Sequence, residues 1–205
     1  MKIQPADLTK LNYVLLDRLE HNELAPFIRT YLRKRTRHSV LYYFSNALAF
    51  SLAGYLFFRG YFAEHYDAAN RFTYFSYGLA IAFLLVPLHE YIHLVAYRRL
   101  GAMNTSYGVN LKRFYFMALA DQFVANREEF QMVALAPFVV ITSALVILLG
   151  LVGPETQLTV AGTMLTHTAM CSGDFGLLSY FDFHKNKEVI TYDDIQGKVS
   201  FFYGK

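Results

Sequence analysis

Apolar residues fall in four blocks, each about as long as the roughly 20 residues a helix needs to cross a bilayer. They cover residues 40–58, 73–97, 133–152 and 158–181. The first and third blocks carry no charge. The second is interrupted by His89, Glu90 and His93, and the fourth by His167 and Asp174. Within the first, Ala47, Ser51 and Gly54 are spaced as a small-residue packing face. Ahead of it, Leu8, Leu11, Val14, Leu15 and Leu19 recur at helical spacing, with Asp7 as a candidate N-cap. That spacing predicts one or two amphipathic helices within residues 7–33, serving as a basic anchor on the membrane surface.

The polar stretch at residues 101–132 has structure of its own. Gly101 is placed to end the second helix. Thr105–Val109 and Lys112–Leu119 read as short strands around Asn110, predicting a β-hairpin near the membrane surface. Asn126, with Glu129 three residues on, forms a capping box that starts the helix leading into the third block. The pattern therefore predicts a mainly α, polytopic membrane protein with about four transmembrane helices. It has a hairpin between spans two and three and an N-terminal amphipathic helical segment. We expect a single membrane domain: a cytosolic N-terminal segment at 1–38, a four-span core at 39–182 and a cytosolic tail at 183–205.

Composition strengthens the membrane reading. Of 205 residues, 55% are hydrophobic and only 17% are charged, against about 25% charged in ordinary globular proteins. A soluble core of this size would lack polar cover. The net charge of +3 is too small to imply nucleic acid, and its placement is more informative. Arg29, Arg33, Lys34, Arg35 and Arg37 precede the first block. Arg98, Arg99, Lys112, Arg113 and Arg127 lie between the second and third, and Lys185, Lys187, Lys198 and Lys205 follow the fourth. The two opposite loops hold only Arg59 and Arg71. The positive-inside rule then predicts cytosolic termini and a cytosolic middle loop, and the expected location is the plasma membrane. Asp7, Asp17, Glu20 and Glu23 rule out a cleavable signal within residues 1–30. The first span is expected to act as an uncleaved insertion signal.

The single cysteine, Cys171, permits no intrachain disulfide and no metal site built from cysteines alone. Histidines and carboxylates are left as the strong ligands. The sequence His89-Glu90-Tyr91-Ile92-His93 has the spacing for such a site. Positions i and i+4 share a helix face, so both imidazoles can reach one Zn²⁺ at about 2.0–2.1 Å. Glu90 is offset by one residue and so is placed to take a proton from water acidified by that ion. By chance such a motif occurs on the order of once per hundred chains of this length. The competing reading is a buried polar cluster that only joins helices. Placing ionisable groups mid-span costs about 2.5–3.5 kcal/mol each, which weighs against packing alone.

A catalytic zinc site needs a third protein ligand and one open position. Asp174, in Cys171-Ser172-Gly173-Asp174, is the only carboxylate in another apolar block. Counted from Arg98, His93 and His89 lie about 7–14 Å deep, and counted from Phe181, Asp174 lies about 10 Å deep. The two sets reach the same level. His167 stands two turns before Asp174 and is a candidate to orient a ligand, to contact substrate, or to replace Asp174 as a ligand. Cys171 reads as a small packing residue rather than a ligand. Pro87 removes one helical hydrogen bond and frees the carbonyl of Phe83. His21, His38, His65 and His184 lie outside the blocks and are expected to be solvated.

The ordered set of His89-Glu90-x-x-His93 in the second block, Ala134-Leu135-Ala136-Pro137-Phe138 opening the third, and Gly173-Asp174 in the fourth resembles the putative zincin peptidase family. The similarity covers roughly residues 73–182. It implies a zinc metallopeptidase, related in plan to the site-2 proteases that cut substrates within the membrane, but brings no substrate of its own; a membrane protein or peptide substrate is a separate expectation. Site-2 proteases place an Asp before Gly in the ligand helix, whereas here Gly173 precedes Asp174, and the third ligand stays open between Asp174 and His167. The leading expectation is a membrane zinc peptidase in which Glu90 activates the zinc-bound water and the 101–119 hairpin holds an extended substrate. The alternatives are a membrane zinc hydrolase acting on a lipid or small amide, and a non-enzymatic metal-binding scaffold or transport element.

Overall fold

A computed structural model describes residues 2–59, 61, 67–110 and 115–205. The chain is mainly helical, with some β-structure. It divides into two units that interleave along the sequence. Unit 1 comprises Met1–Ser39, Glu90–Ala136 and Gly173–Lys205, and unit 2 comprises Val40–His89 and Pro137–Ser172.

Unit 1 contains a four-stranded antiparallel sheet built from β1 (Val14–Glu20), β4 (Ala125–Asn126), β5 (Val189–Asp194) and β6 (Val199–Gly204). The spatial order is β1-β6-β5-β4, with Val14 opposite Gly204 and Ile190 opposite Tyr203. Helix α1 (Leu24–Leu32) lays Phe27 and Tyr31 against a core formed by Leu19, Phe130, Tyr180, Phe181, Val189 and Phe202. The Tyr180 hydroxyl donates to Asp17 Oδ2 at 2.7 Å, joining the sheet to α7 (Ser172–Phe183). In β5, Asp193 accepts a 2.6 Å hydrogen bond from the Ser200 hydroxyl across the sheet.

A separate antiparallel pair is made by β2 (Thr105–Asn110) and β3 (Tyr115–Ala120), with Thr105 opposite Ala120. The expected start of the second strand at Lys112 lies outside the described residues. Helix α4 (Val86–Arg99) ends as the glycine predicts. Gly101 has φ +95°, its N–H donates to Arg98 O, and the N–H of Ala102 donates to Tyr97 O, a Schellman closure. The capping box also forms before α5 (Arg127–Leu151): Glu129 N–H donates to Asn126 Oδ1 at 3.0 Å, and Asn126 N–H to Glu129 Oε2 at 3.1 Å.

Unit 2 includes most of α2 (Arg37–Phe58), together with α3 (Ala68–Leu84) and α6 (Pro154–Met170). Asp67 caps α3, accepting from the N–H groups of Ala69 and Asn70. Helices α3 and α6 meet backbone to backbone at Gly78 and Gly162: a Cβ on Gly78 would lie 2.1 Å from the Thr159 carbonyl oxygen. The Thr163 hydroxyl donates to Gly78 O at 3.1 Å, and that of Thr159 to Tyr74 O at 2.9 Å. Arg71 covers the last carbonyls of α2, reaching Leu56 O and Phe57 O at 3.1 and 3.2 Å, where a cation favours the helix dipole.

Among the described residues, three helical stretches are long and apolar enough to cross a membrane: Arg37–Phe58, Ala68–Arg99 and Arg127–Leu151. They leave large apolar side chains such as Phe44, Phe50, Val139 and Ile147 exposed. Water disfavours such surface and lipid accepts it, so the chain reads as a membrane protein. The second stretch bends at Leu85, between α3 and α4, two residues before Pro87.

Several sequence expectations are corrected. The N-terminal segment is not helical throughout; residues 14–20 form a strand, because they find a partner in β6. The segment at 183–205 supplies two strands, which the sequence reading did not place there. The fourth block is not one helix: α6 has 17 residues and α7 has 12, and they meet at Cys171. The packed face of α2 uses Ala49, Ala53 and Leu56, whereas Ala47 and Ser51 are exposed. His21 is buried, His184 is half-buried, and His38 Nδ1 sits 2.9 Å from Asp182 Oδ2, so these three are not freely solvated. His65 lies outside the described residues.

Candidate metal centre

Helix α4 carries His89, Glu90 and His93 on one and a half turns. One ligand atom from each lies within 4.8 Å of the other two. His89 is half-buried, while Glu90 and His93 are buried. In unit 1, the first turn of α7 brings Asp174 to His93, with Oδ1 3.2 Å from Nε2.

The opposite nitrogen of His93 is held as well. Nδ1 lies 2.9 Å from the Val133 carbonyl oxygen and donates to it. In an uninterrupted helix that carbonyl would accept from the N–H of residue 137, but residue 137 is Pro and has none. His93 takes the vacated acceptor. A proton fixed on Nδ1 leaves the Nε2 lone pair for a cation, the arrangement that orients a ligating imidazole. Sequence reasoning noted Pro137 without this role. The signal was there, since Pro137 minus four is Val133.

The donor set fits Zn²⁺. Two oxygen or nitrogen ligands at about 2.0–2.1 Å in a tetrahedral site stand about 3.3 Å apart, and His93 Nε2 and Asp174 Oδ1 stand 3.2 Å apart.

In unit 2, His167 stands beside His89. Its Nε2 lies 3.5 Å from His89 Nδ1 and 3.9 Å from Cys171 Sγ. Cys171, expected to be a packing residue, therefore stands among potential ligands. The i, i+4 spacing from His167 was the signal that reasoning passed over.

The fold and this site define a membrane-type helical chain with a largely buried His-Glu-His cluster able to hold a metal ion. A family model described as "Putative zincin peptidase" matches residues 82–188, just over half the chain, and the chain belongs to that family. The matched stretch contains His89, Glu90, His93, Pro137, His167 and Asp174. Membership suggests a metallopeptidase and implies zinc. No curated protein and no solved structure matches the chain.

Proposed function

We propose that this protein is an integral membrane zinc metallopeptidase that hydrolyses peptide bonds in or near the bilayer. His89, His93 and Asp174 would hold the metal, and Glu90 would act as general base. The observation that carries the reading is the pairing of His93 Nε2 with Asp174 Oδ1 at 3.2 Å, with His93 Nδ1 bound behind it to Val133 O. Bound Zn²⁺ supplies Lewis acidity, lowering the pKa of water and polarising a carbonyl.

The chain's own groups do the rest. Asp174 contributes negative charge that balances the cation in a low-dielectric setting. Glu90, one residue from His89 and buried, accepts a proton from the attacking water and returns it to the leaving amine nitrogen. Among the described residues β2 pairs only with β3, and an extended peptide would add to this pair as a further strand.

The sheet supports a four-crossing topology. Strand β1 precedes the first apolar block, β4 lies between the second and third, and β5 and β6 follow the fourth. Hydrogen-bonded strands share one side of a bilayer, so each interval between them calls for an even number of crossings. The placement of Lys and Arg then favours the cytosol as that side, with both termini there.

The test is Glu90→Gln in the full chain beside His93→Ala. Glu90→Gln is expected to retain about one zinc per chain and to lose cleavage of membrane peptide substrates by a factor of about 100 or more. His93→Ala is expected to lose the zinc. Full activity in Glu90→Gln would overturn the mechanism.

A further inference from the structure

Three donors in unit 2 converge on one point and are not all absorbed by the peptidase reading. We propose that His89 Nδ1, His167 Nε2 and Cys171 Sγ form a second cation site, suited to a borderline-soft d¹⁰ ion such as Zn²⁺. One ligand atom from each of these residues lies within 4.8 Å of the other two.

The spacing is that of a ligand shell. Two nitrogens at about 2.0–2.1 Å from a tetrahedral Zn²⁺ are about 3.3 Å apart, and such a nitrogen is about 3.6 Å from a thiolate at about 2.3 Å. The observed separations are 3.5 Å from His89 Nδ1 to His167 Nε2 and 3.9 Å from His167 Nε2 to Cys171 Sγ. The third pair, His89 with Cys171, lies within the same 4.8 Å. The site is also built into the fold. His167 and Cys171 are 2% and 0% exposed, and the Cys171 N–H donates to the His167 carbonyl at 3.2 Å, which holds the two on one turn.

The donor set fixes the class of ligand. A thiolate with two imidazoles prefers Zn²⁺ and other thiophilic ions to Mg²⁺ or Ca²⁺. Binding releases the Cys171 thiol proton, so occupancy falls as pH falls. The site shares His89 with the proposed peptidase centre, and through Nδ1 it leaves Nε2 to that centre. With both sites filled, His89 would bridge the two cations as an imidazolate, so its remaining ring N–H proton leaves along with that of Cys171.

The experiment is a Co²⁺ titration of the metal-stripped, full-length protein in detergent, read by absorption. Cys171 is the only cysteine, and the peptidase centre of His89, His93 and Asp174 has no sulfur. A near-ultraviolet thiolate-to-cobalt charge-transfer band therefore reports this site alone. Wild type is expected to develop the band and to lose it on addition of excess Zn²⁺. Cys171→Ser is expected to abolish it while keeping the visible ligand-field bands of cobalt bound elsewhere. His167→Ala is expected to weaken cobalt binding at the band at least 10-fold. Absence of the band from wild type overturns the proposal, as does an unchanged affinity in His167→Ala. A failed peptidase reading would show instead as unaltered metal content in His93→Ala, with the thiolate band still present.

Discussion

His93 donates from Nδ1 to the backbone carbonyl of Val133 at 2.9 Å, and that carbonyl is available because Pro137 stands one turn further along α5. A backbone irregularity in one helix thereby sets the proton position on a side chain of another. An interior proline normally costs a helix about 3 kcal/mol. Here the freed acceptor is used, so part of that cost is offset by a hydrogen bond to a buried imidazole.

Pro137→Ala tests the coupling. Alanine restores an N–H that competes for the Val133 carbonyl, so His93 loses its fixed donor. Zinc affinity, measured by chelator competition, is expected to fall about 10- to 100-fold, the usual effect of removing a group that orients a ligating histidine. Thermal stability is expected to hold or rise, since the helix gains a hydrogen bond. Unchanged zinc affinity would sever the link between Pro137 and His93.

The meeting of α3 and α6 gives a second expectation. Gly78→Ala puts a methyl group 2.1 Å from Thr159 O and 2.8 Å from Thr163 N, both backbone atoms that cannot swing aside. The helices must separate, at a cost of about 1–3 kcal/mol. Gly54→Ala is the control, because nothing lies within 4 Å of the added atom. Unfolding in mixed micelles should show a lowered midpoint for the first variant and none for the second.

The third expectation concerns pH. Burial pushes the Asp193 carboxyl up from 3.8 to about 6. The folded chain therefore holds this proton more tightly than the unfolded chain does. The resulting stabilisation is fully present below about pH 3.8 and is lost as pH rises to about 6. Asp193→Asn removes the titration and keeps an acceptor for the Ser200 hydroxyl. The variant should be more stable than wild type above pH 6, with the difference shrinking toward pH 4. A constant difference across that range would count against a raised carboxyl.

The three membrane-length apolar stretches, the Asn126–Glu129 box, the Gly101 terminator and the His89–His93 spacing were all legible, because each is written in residues close together in sequence. The N-terminal strand was not. Its pairing with β6 shifts register between Leu15 and Asp17, and this bulge breaks the strict alternation by which a strand announces itself. What remained matched helical spacing by coincidence. The partner strand lies some 180 residues away, beyond the reach of any local pattern. Residues 189–192 and 199–203 did carry a strand signal, being rich in β-branched and aromatic types on either side of Gly197. The membership of Cys171 in a ligand cluster depends on His89, which stands on a different helix. Only its i, i+4 relation to His167 was visible beforehand.

Strand β6 lies between β1 and β5, so the first-made and later-made strands of the sheet have no common neighbour until residues 199–204 exist. A nascent chain can insert its apolar helices in order, yet β1 has no strand to pair with until β6 is made. The edge strand β1, made first, is thus held in the sheet only through the strand made last, and its closure waits on the far end of the described chain.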